Sequence, residues 1–519
     1  MAKKQKDAHE VGGFLKTVER VGNALPHPAM IFVILSVVVI IASAIFAGKG
    51  VTYFDARAGE EVTKNIVSLA TPEGLRYIFN SATKNFTGFA PLGTVLVAML
   101  GVGVAEWTGL INTTLKKSLS NANPRILTAV VVFAGIMSNI ASDAGYVVVI
   151  PLGAIIFANA GRHPIAGLAA AFAGVSGGFS ANLLLGTTDP LLTGITNEAL
   201  TMVGIDMQLD PTCNWYFLFA STFLLTILGT LVTEKIVEKN LGKYTGEYMP
   251  DHEAISEVEN KGLRNALISV IIFVAIMAAM MIPQNGFLRE FEEAKNAMTV
   301  NAFMSNGFIP AILLFFLIPG IVYGKTTGII KNTHDIVKGM TVAMQGMGSY
   351  LVLAFFASQF VAYFGHTNLG LVISYNGAEF LQAIGFTGLP LIIAFILLCA
   401  FLNLFMGSAS AKWAIMAPIF IPMLFNMGIH PALTQVAYRI GDSTTNIISP
   451  LMSYFAMIVV FMQKYDEDSG LGTLISTMLP YSLAFLAGWI VFMIIWYVAG
   501  IPVGPGAPLH VSAILSFLA

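Results

Sequence analysis

Long stretches of this chain contain no charged side chain, and this feature restricts the possible folds more than any other. No Asp, Glu, Lys or Arg occurs from Val21 to Gly48, or from Ser469 to Ala519. Charged residues make up 11% of the 519 residues, whereas a typical soluble domain contains about 25%. A soluble protein of this length would still need a polar surface, so lipid must replace water around much of this one. A helix needs roughly 20 apolar residues to cross a bilayer, and the sequence therefore predicts a polytopic membrane protein.

Other classes of protein find little support in the sequence. Two cysteines, Cys213 and Cys399, are too few for a disulfide framework. No HExxH, P-loop or paired CxxC motif is present, so neither a zinc protease nor an ATP-driven pump is indicated. We therefore expect a protein that is not an enzyme, has no organic cofactor and binds no nucleic acid.

The positions of the charged clusters predict an all-α fold with nine transmembrane helices and two re-entrant helical hairpins. Most Lys and Arg residues then fall on the side of the N-terminus, which predicts a cytoplasmic N-terminus and a periplasmic C-terminus. The predicted segments are a cytoplasmic N-terminal segment at 1–26, a first repeat at 27–233 with helices 1–4, a cytoplasmic loop at 234–264, and a second repeat at 265–519 with helices 5–9. Hairpins are predicted at 126–161 and 392–428, and the third and eighth helices are predicted to be broken, at 166–200 and 432–462.

The two halves of the chain resemble each other. A shift of 267 residues places His163-Pro164 on His430-Pro431 and Pro151 on Pro418. Five predicted membrane crossings separate the two copies, and an odd number of crossings turns the second copy upside down. The sequence therefore predicts an inverted repeat, an arrangement found in many secondary transporters whose substrate site lies near the bilayer midplane.

Polar residues inside the apolar segments cluster at the two hairpin tips and the two helix breaks. The first tip reads SNIASDAG (138–145), the first break SANLLLGTTDP (180–190), the second tip GSASAKW (407–413), and the second break RIGDSTTNIISP (439–450). Unwound backbone at membrane depth is tolerated only inside protein or beside a wet cavity. Half-helix N-termini bind anions there, and side-chain and carbonyl oxygens suit Na⁺.

The charged residues of these clusters allow more than one interpretation. Arg439 and Asp442 are three residues apart on one helix, so they could form an internal salt bridge or bind ligands. Asp189 could cap the second half of the third helix or take part in coupling and binding. Asp143 could merely stabilise the first hairpin tip or have a functional role there, and Lys412 could extend toward the interface or pair locally.

Several stretches resemble the AbgT family of p-aminobenzoyl-glutamate transporters. They are KNFTGFAPLGTVLVAMLGVGVAE, GRHPIAGLAAAFAGVSGGFSANLLLGTTDPLL, the run from GSASAKWAIMAPIF to AYRIGDSTTNIISPLMSYF, and IPVGPGAP. The sequence TTNIISPLMSYF is closer to the branch associated with the efflux of sulfonamide antimetabolites. The resemblance implies a homodimer, with an inner substrate-binding core and an outer frame in each protomer. Family motifs associated with the substrate pathway match at Asp189, Asn403, Ser410, Trp413, Pro431, Arg439, Asp442 and Pro450, and two of them, Asn403 and Asp442, are also associated with a bound cation.

Together these features predict a secondary transporter of the bacterial inner membrane, driven by a gradient of H⁺ or Na⁺. Its expected substrates are small anionic aromatic compounds such as p-aminobenzoyl-glutamate, p-aminobenzoate or sulfonamides, with Trp413 stacking on the ring. The predicted transport residues are Asn182, Asp189, Ser410, Trp413, Pro431, Arg439, Asp442 and Pro450, and the predicted Na⁺ ligands are Asn403, Asp442 and Asn446. Drug efflux is favoured, Na⁺-coupled uptake of p-aminobenzoyl-glutamate or a dicarboxylate-like solute is the alternative, and a selective channel is a third.

Overall fold

The computed structural model of the protein describes residues 26, 28–55, 60–120, 126–141, 145–246, 255–292, 297–300, 302–452 and 454–511. Asp143 and almost all of the predicted N-terminal segment lie outside the described residues. Helices dominate the part that is described, and four short strands form two antiparallel hairpins, β1 (Gly50–Asp55) with β2 (Glu60–Asn65) and β3 (Glu290–Glu292) with β4 (Ala297–Thr299).

The α-helices are numbered here in chain order. They are α1 Pro28–Ile45, α2 Pro72–Thr87, α3 Ala90–Trp107, α4 Leu110–Ser120, α5 Leu127–Ser138, α6 Ile150–Asn159, α7 Pro164–Phe172, α8 Thr188–Met202, α9 Trp215–Val232, α10 Glu238–Leu241, α11 Glu257–Met281, α12 Phe308–Thr327, α13 Thr333–Gly346, α14 Gly348–His366, α15 Leu369–Ala383, α16 Gly388–Asn403, α17 Ala409–Asn426, α18 Pro431–Thr445, α19 Phe455–Gln463 and α20 Leu471–Val498.

Eight helical stretches within the described residues are long and apolar enough to cross a membrane. They are Pro28–Ile45, Pro72–Trp107, Trp215–Leu241, Glu257–Met281, Phe308–Thr327, Gly348–His366, Ala409–Asn426 and Leu471–Val498. The predicted all-helical polytopic membrane fold is therefore confirmed. Ala409–Asn426 is the second arm of the predicted second hairpin, whereas the third and eighth predicted helices are interrupted and give no continuous span.

Both interruptions occur where the sequence places Gly, Pro and polar residues. Helix α7 runs into a π-helical turn at Ala173–Gly177, and the chain is then non-helical until Thr188. Helix α18 ends in a 3₁₀ turn at Asn446–Ile448, and helix resumes at Phe455. Gly and Pro disfavour a continuous helix, and π-helical turns are frequent at functional sites.

The two predicted repeats share the same local structure where each hairpin meets the following broken helix. The Nδ1 atoms of His163 and His430 accept hydrogen bonds from the N–H groups two residues later, at 3.2 and 3.3 Å, and so cap α7 and α18. Gly161 and Gly428 adopt φ angles of +71° and +80° in the preceding turns, a region open to Gly at little cost. Both histidines therefore have a structural role at a helix start.

Helices α7 and α18 lie at the centre of the molecule. Every residue of α7 and every residue of α18 is buried. Helices α16, α17 and α20 pack around α18, and α17 also packs against α8. A helix buried on all sides is normally apolar all round, but α18 carries Gln435, Arg439 and Asp442. These side chains must find their partners inside the protein.

The sequence pattern misplaced some boundaries outside this core. The seventh predicted helix, at 342–364, is divided at Met347 into α13 and α14, with a glycine on each side of the break. The polar region from 51 to 90 contains the β1–β2 hairpin and the amphipathic helix α2. Short strands and surface helices produce no long apolar run, so charge placement alone does not reveal them.

Close packing of α3 on α12 provides a test of the helix arrangement. A Cβ atom added at Gly101 would lie 2.1 Å from the carbonyl oxygen of Leu313, whereas one at Gly93, also in α3, would meet nothing within 4 Å. Gly101→Ala should therefore lower the free energy of unfolding by about 1–3 kcal/mol, because the helices must move apart. Gly93→Ala should leave it unchanged or raise it slightly. Thermal unfolding in detergent measures both, and equal midpoints for the two variants would contradict this packing.

Candidate functional site

Two buried ion pairs lie where the two broken helices approach each other. Arg439 on α18 lies 2.7 Å (Nη2 to Oδ1) from Asp189 in the first turn of α8. Lys412 on α17 lies 2.6 Å (Nζ to Oδ1) from Asp442 on α18. All four residues are almost completely buried. Within each pair the positive and negative charges cancel, as buried charges in a membrane protein require.

This pairing excludes one of the two interpretations considered for Arg439 and Asp442, the salt bridge between them. Their spacing of three residues would permit such a bond, but each side chain finds its partner on a different helix. Lys412 does not extend to the membrane interface, because it is 1% exposed and pairs locally with Asp442. The shape of the tertiary fold, rather than spacing along α18, selects the partners.

Asp189 stabilises the start of α8, which is one of the two roles considered for it. One carboxylate oxygen binds Arg439, and the other accepts a hydrogen bond of 2.6 Å from the N–H of Gly186 in the unwound segment. A carboxylate in the first turn of a helix also interacts favourably with the helix dipole. Asp189 therefore fixes the start of α8 and joins it to α18.

Asn403 is the centre of a second set of contacts, at the end of α16. Its Nδ2 lies within hydrogen-bond distance of the Asp442 carbonyl at 2.6 Å, Thr445 Oγ1 at 3.0 Å and Asn446 Oδ1 at 2.8 Å, and its two hydrogens are shared among these three acceptors. Its Oδ1 accepts a hydrogen bond from Lys412 Nζ. The three predicted Na⁺ ligands, Asn403, Asp442 and Asn446, are thus brought together. Within the described part of the chain, no group of three or more His, Cys, Asp or Glu side chains could hold a metal ion.

Trp413 lies inside the protein rather than on an open surface. It is 0% exposed and stacks on Tyr438, with ring centroids 4.4 Å apart. Its Nε1 donates to Thr196 Oγ1 at 3.0 Å and to the Leu192 carbonyl at 3.2 Å. Tyr438 donates in turn to Asp442 Oδ1 at 3.2 Å. In this conformation the protein's own tyrosine covers the ring that we expected to stack on a ligand.

Four other predicted site residues lie around this cluster without joining its ion pairs. Ser410 is half-buried near the start of α17, and Asn182 accepts a hydrogen bond from the Leu184 N–H within the first unwound segment. Pro431 begins α18, and Pro450 lies in the second break. Their positions fit roles in shaping the helix ends.

Three polar residues of the cluster were missed by sequence reasoning. Gln435 accepts a hydrogen bond from Thr196 Oγ1 at 2.6 Å and donates one to Asn214 Oδ1 at 2.8 Å. The same Asn214 oxygen accepts a weaker hydrogen bond of 3.5 Å from Arg439 Nη1. A signal for Gln435 was present, because it lies four residues before Arg439 and so on the same face of α18. Thr196 and Asn214 had no comparable signal.

Some buried polar atoms of α18 have no hydrogen-bond partner among the described residues. They are Arg439 Nε, Ser443 Oγ and Thr434 Oγ1. An unsatisfied buried donor costs about 1–3 kcal/mol, and such atoms mark places where a ligand or water can bind. The guanidinium of Arg439 therefore retains donor capacity beyond its bond to Asp189.

Ser176 lies in a sequence, Gly174–Val175–Ser176–Gly177–Gly178, that has the GxSxG pattern of some hydrolases. Its neighbours do not fit that chemistry, because Ser176 Oγ contacts Tyr146 Oη at 3.2 Å and Met452 Sδ at 3.0 Å. A hydrolase serine needs a histidine base within hydrogen-bond distance. The pattern therefore belongs to the π-helical turn of the first broken helix.

A cavity of about 1330 Å³ lies beside the cluster. It extends between α4, α5, α11 and α12, and it reaches Ser138 and Ile140 at the first hairpin tip and Leu184 in the first break. Most of its lining is apolar, and its charged lining residues include Lys117 on α4 and Lys261 and Arg264 near the start of α11. None of the four ion-pair residues lines this cavity.

Comparisons with known proteins agree on one family. A sequence profile described as the AbgT putative transporter family matches residues 13–511. The p-aminobenzoyl-glutamate transport protein of Escherichia coli (strain K12) is 40% identical over 490 residues, which is 94% of this chain and 95% of that protein.

Two solved structures also match this fold. The YdaH transporter of Alcanivorax borkumensis, reported to have an unusual topology, is 42% identical with a TM-score of 0.85, over 92% of this chain and 100% of that one. MtrF of Neisseria gonorrhoeae, described among antimetabolite efflux pumps, is 48% identical with a TM-score of 0.88, over 95% of this chain and 100% of that one. The resemblance noted in the sequence is confirmed, and this chain is a multi-pass membrane transporter that belongs to the AbgT family.

Proposed function

We propose that this transporter uses an ion gradient to move small anionic aromatic compounds across the bacterial inner membrane, in the direction of efflux. The observation that most supports this proposal is the buried Arg439. Its guanidinium pairs with Asp189 and so connects the two broken helices, and its Nε has no hydrogen-bond partner among the described residues. Relatives named for p-aminobenzoyl-glutamate transport and for antimetabolite efflux support this class of substrate.

The acidic group of the substrate would bind Arg439. A guanidinium offers five donors in a planar fork, and a carboxylate or an ionised sulfonamide can accept two of them at once. Asp189 holds part of that fork at 2.7 Å. A substrate anion would therefore compete with Asp189, and its binding would loosen the contact between α8 and α18.

The aromatic ring of the substrate would stack on Trp413 after a rearrangement. Tyr438 covers the indole in this conformation, with an angle of 29° between the two rings. A ligand ring in the same position would replace one stacked pair by another at little cost. Movement of Tyr438 would also break its hydrogen bond to Asp442. Substrate binding would in this way change the contacts of the proposed coupling residue.

Asp442 is the proposed coupling residue, and its substitution tests the function. Asp442→Asn should stop transport or remove its dependence on the driving ion, because the neutral amide has no charge for either Lys412 or a coupling ion to compensate. The measurement is flux of radiolabelled p-aminobenzoyl-glutamate and sulfamethazine into proteoliposomes, with pH and Na⁺ gradients imposed separately. Unchanged pH and Na⁺ dependence in the variant would exclude Asp442 from coupling.

The wild-type protein in the same assay tests the wider proposal. Saturable movement of either compound, accumulated against its gradient, is expected for a carrier. A selective channel would only equilibrate the compound. No movement under any gradient, with folded protein present, would mean that the substrate class is wrong although the family is right.

Uptake of p-aminobenzoyl-glutamate driven by Na⁺ is the second candidate, and the 40% identical Escherichia coli protein is named for the transport of this compound. Alternating access operates in either direction, so the imposed gradient decides between the two. Accumulation of p-aminobenzoyl-glutamate that requires an inward Na⁺ gradient would support uptake, and extrusion driven by an inward H⁺ gradient would support efflux.

We also propose a homodimer of protomers with inverted repeats, with a cytoplasmic N-terminus and a periplasmic C-terminus. Apolar side chains along α11, including Ile268, Ile271 and Ile272, are exposed to lipid or to another subunit.

Cysteine labelling tests the proposed orientation in the membrane. Both native cysteines are buried, so a single cysteine introduced at Lys243 should react with a membrane-impermeant reagent only from the cytoplasmic side. Labelling from the periplasm would reverse the proposed orientation.

A further inference from the structure

The nitrogen of Lys412 occupies a position between side-chain oxygens of Asn403 and Asp442. It lies 2.6 Å from Asp442 Oδ1 and donates a hydrogen bond to Asn403 Oδ1. Its distance to the centre of the Tyr438 ring is 5.6 Å, so the face of this ring also contacts the charge. The lysine is 1% exposed. These contacts hold the ammonium group inside the protein.

Neither charge of this pair is placed where its own helix would favour it. Lys412 lies in the first turn of α17, near the positive end of the helix dipole. Asp442 lies in the last turn of α18, near the negative end. A buried charge without a partner is strongly unfavourable. Each group is therefore stable at its position chiefly because the other one is present.

The same oxygens are suitable ligands for a small cation. A carboxylate and an amide oxygen are hard donors of the kind that bind Na⁺ and other hard cations. Asn403 and Asp442 are two of the three Na⁺ ligands predicted from the sequence. Their oxygens can contact a free Na⁺ only where the Lys412 ammonium does not already neutralise them.

We propose that the ammonium group of Lys412 serves as a built-in cation and occupies the position that a coupling Na⁺ would take between Asn403 and Asp442. This inference rests on the proposed function in one respect, namely that the site serves ion coupling. The wild-type protein consequently binds no Na⁺ at this position while Lys412 remains there. Removing the ammonium group creates a Na⁺ site, because the carboxylate of Asp442 then requires another cation.

Cation-dependent stability of the purified, full-length protein tests this inference without any substrate. Thermal unfolding midpoints are measured in NaCl and in N-methyl-D-glucamine chloride at equal ionic strength. For Lys412→Met we expect the midpoint to rise with the logarithm of the Na⁺ concentration, as ligand binding to the folded state requires. The apparent affinity for Na⁺ should be at least about tenfold higher than in the wild type.

Two further variants serve as controls in this experiment. Lys338→Met removes an exposed lysine of α13 and should behave as the wild type in both salts. Lys412→Met combined with Asp442→Asn removes both charges, so its midpoint should be higher than that of Lys412→Met in N-methyl-D-glucamine chloride and should not respond to Na⁺. The combined variant distinguishes a site at Asp442 from a general effect of salt.

Two results would overturn the inference. One is a Na⁺ response of the wild type as strong as that of Lys412→Met, and the other is a folded Lys412→Met protein that does not respond to Na⁺. If Lys412→Met does not fold in either salt, binding of radiolabelled ²²Na⁺ to the wild type decides the question. Stoichiometric binding that Asp442→Asn abolishes would contradict the inference, and no such binding would support it. Lack of substrate flux would affect the proposed function and not this result.

Discussion

Replacing Arg439 by Gln should abolish transport and lower the free energy of unfolding by about 3–5 kcal/mol. The guanidinium is buried and lies 2.7 Å from Asp189. Its removal leaves a carboxylate inside the protein that, among the described residues, keeps the hydrogen bond from the Gly186 N–H but has no positive charge beside it. The change also removes the group proposed to bind the substrate anion. Thermal unfolding in detergent and flux in proteoliposomes measure the two effects separately.

A paired substitution separates structure from function at this site. Asp189→Asn combined with Arg439→Gln removes both charges, and two amides can hydrogen-bond across the same space. Most of the lost stability should return, because no unpaired charge remains. Transport should not return, because the anion-binding group is still absent. A stable double variant with normal flux would exclude Arg439 from substrate binding.

Trp413→Ala should also abolish transport, but it should cost about 3–5 kcal/mol of stability as well. The indole is completely buried, stacks on Tyr438 and donates to Thr196 and Leu192. Truncation would leave a cavity in the core and break these bonds. Trp413→Phe preserves the ring and loses only the Nε1 donor, so it should retain most of the stability and part of the transport.

The matched control for Trp413 is Trp489 on α20. Trp489 is equally buried, and its Nε1 donates to Ser221 Oγ at 2.7 Å. Trp489→Ala should lower the unfolding midpoint by a similar amount. At a temperature where both variants are folded, only Trp413→Ala should lack flux. Equal flux in the two variants would show that Trp413 contributes packing and does not contact the substrate.

Sequence reasoning located the breaks in the two central helices correctly because the relevant signals are local. Gly186, Pro190 and Pro450 interrupt apolar stretches, and helix breaks follow at 178–187 and after Thr445. Polar residues in apolar surroundings must be buried with partners or ligands. That rule selected Asp189, Arg439 and Asp442, all of which the structure places in one cluster.

Partner choice could not be derived in the same way. The sequence suggested an Arg439–Asp442 bond, whereas Arg439 binds Asp189 and Asp442 binds Lys412. Contacts between residues far apart in the chain depend on how the helices pack, and helical spacing carries no information about that packing. Thr196 and Asn214 were missed for the same reason, since a lone polar residue in a helix or loop has no distinguishing neighbours.

The sequence by itself determined that this protein is a helical membrane protein, where its two central helices break and which charges lie within apolar segments. These properties follow from hydrophobicity, from the backbone restrictions of Gly and Pro, and from the cost of moving charge into lipid. Only the tertiary structure decided that Lys412 lies between Asn403 and Asp442, and that Tyr438 covers Trp413. Both arrangements depend on helices α16, α17 and α18 meeting at one angle and depth, and the interlocking of their side chains fixes that geometry.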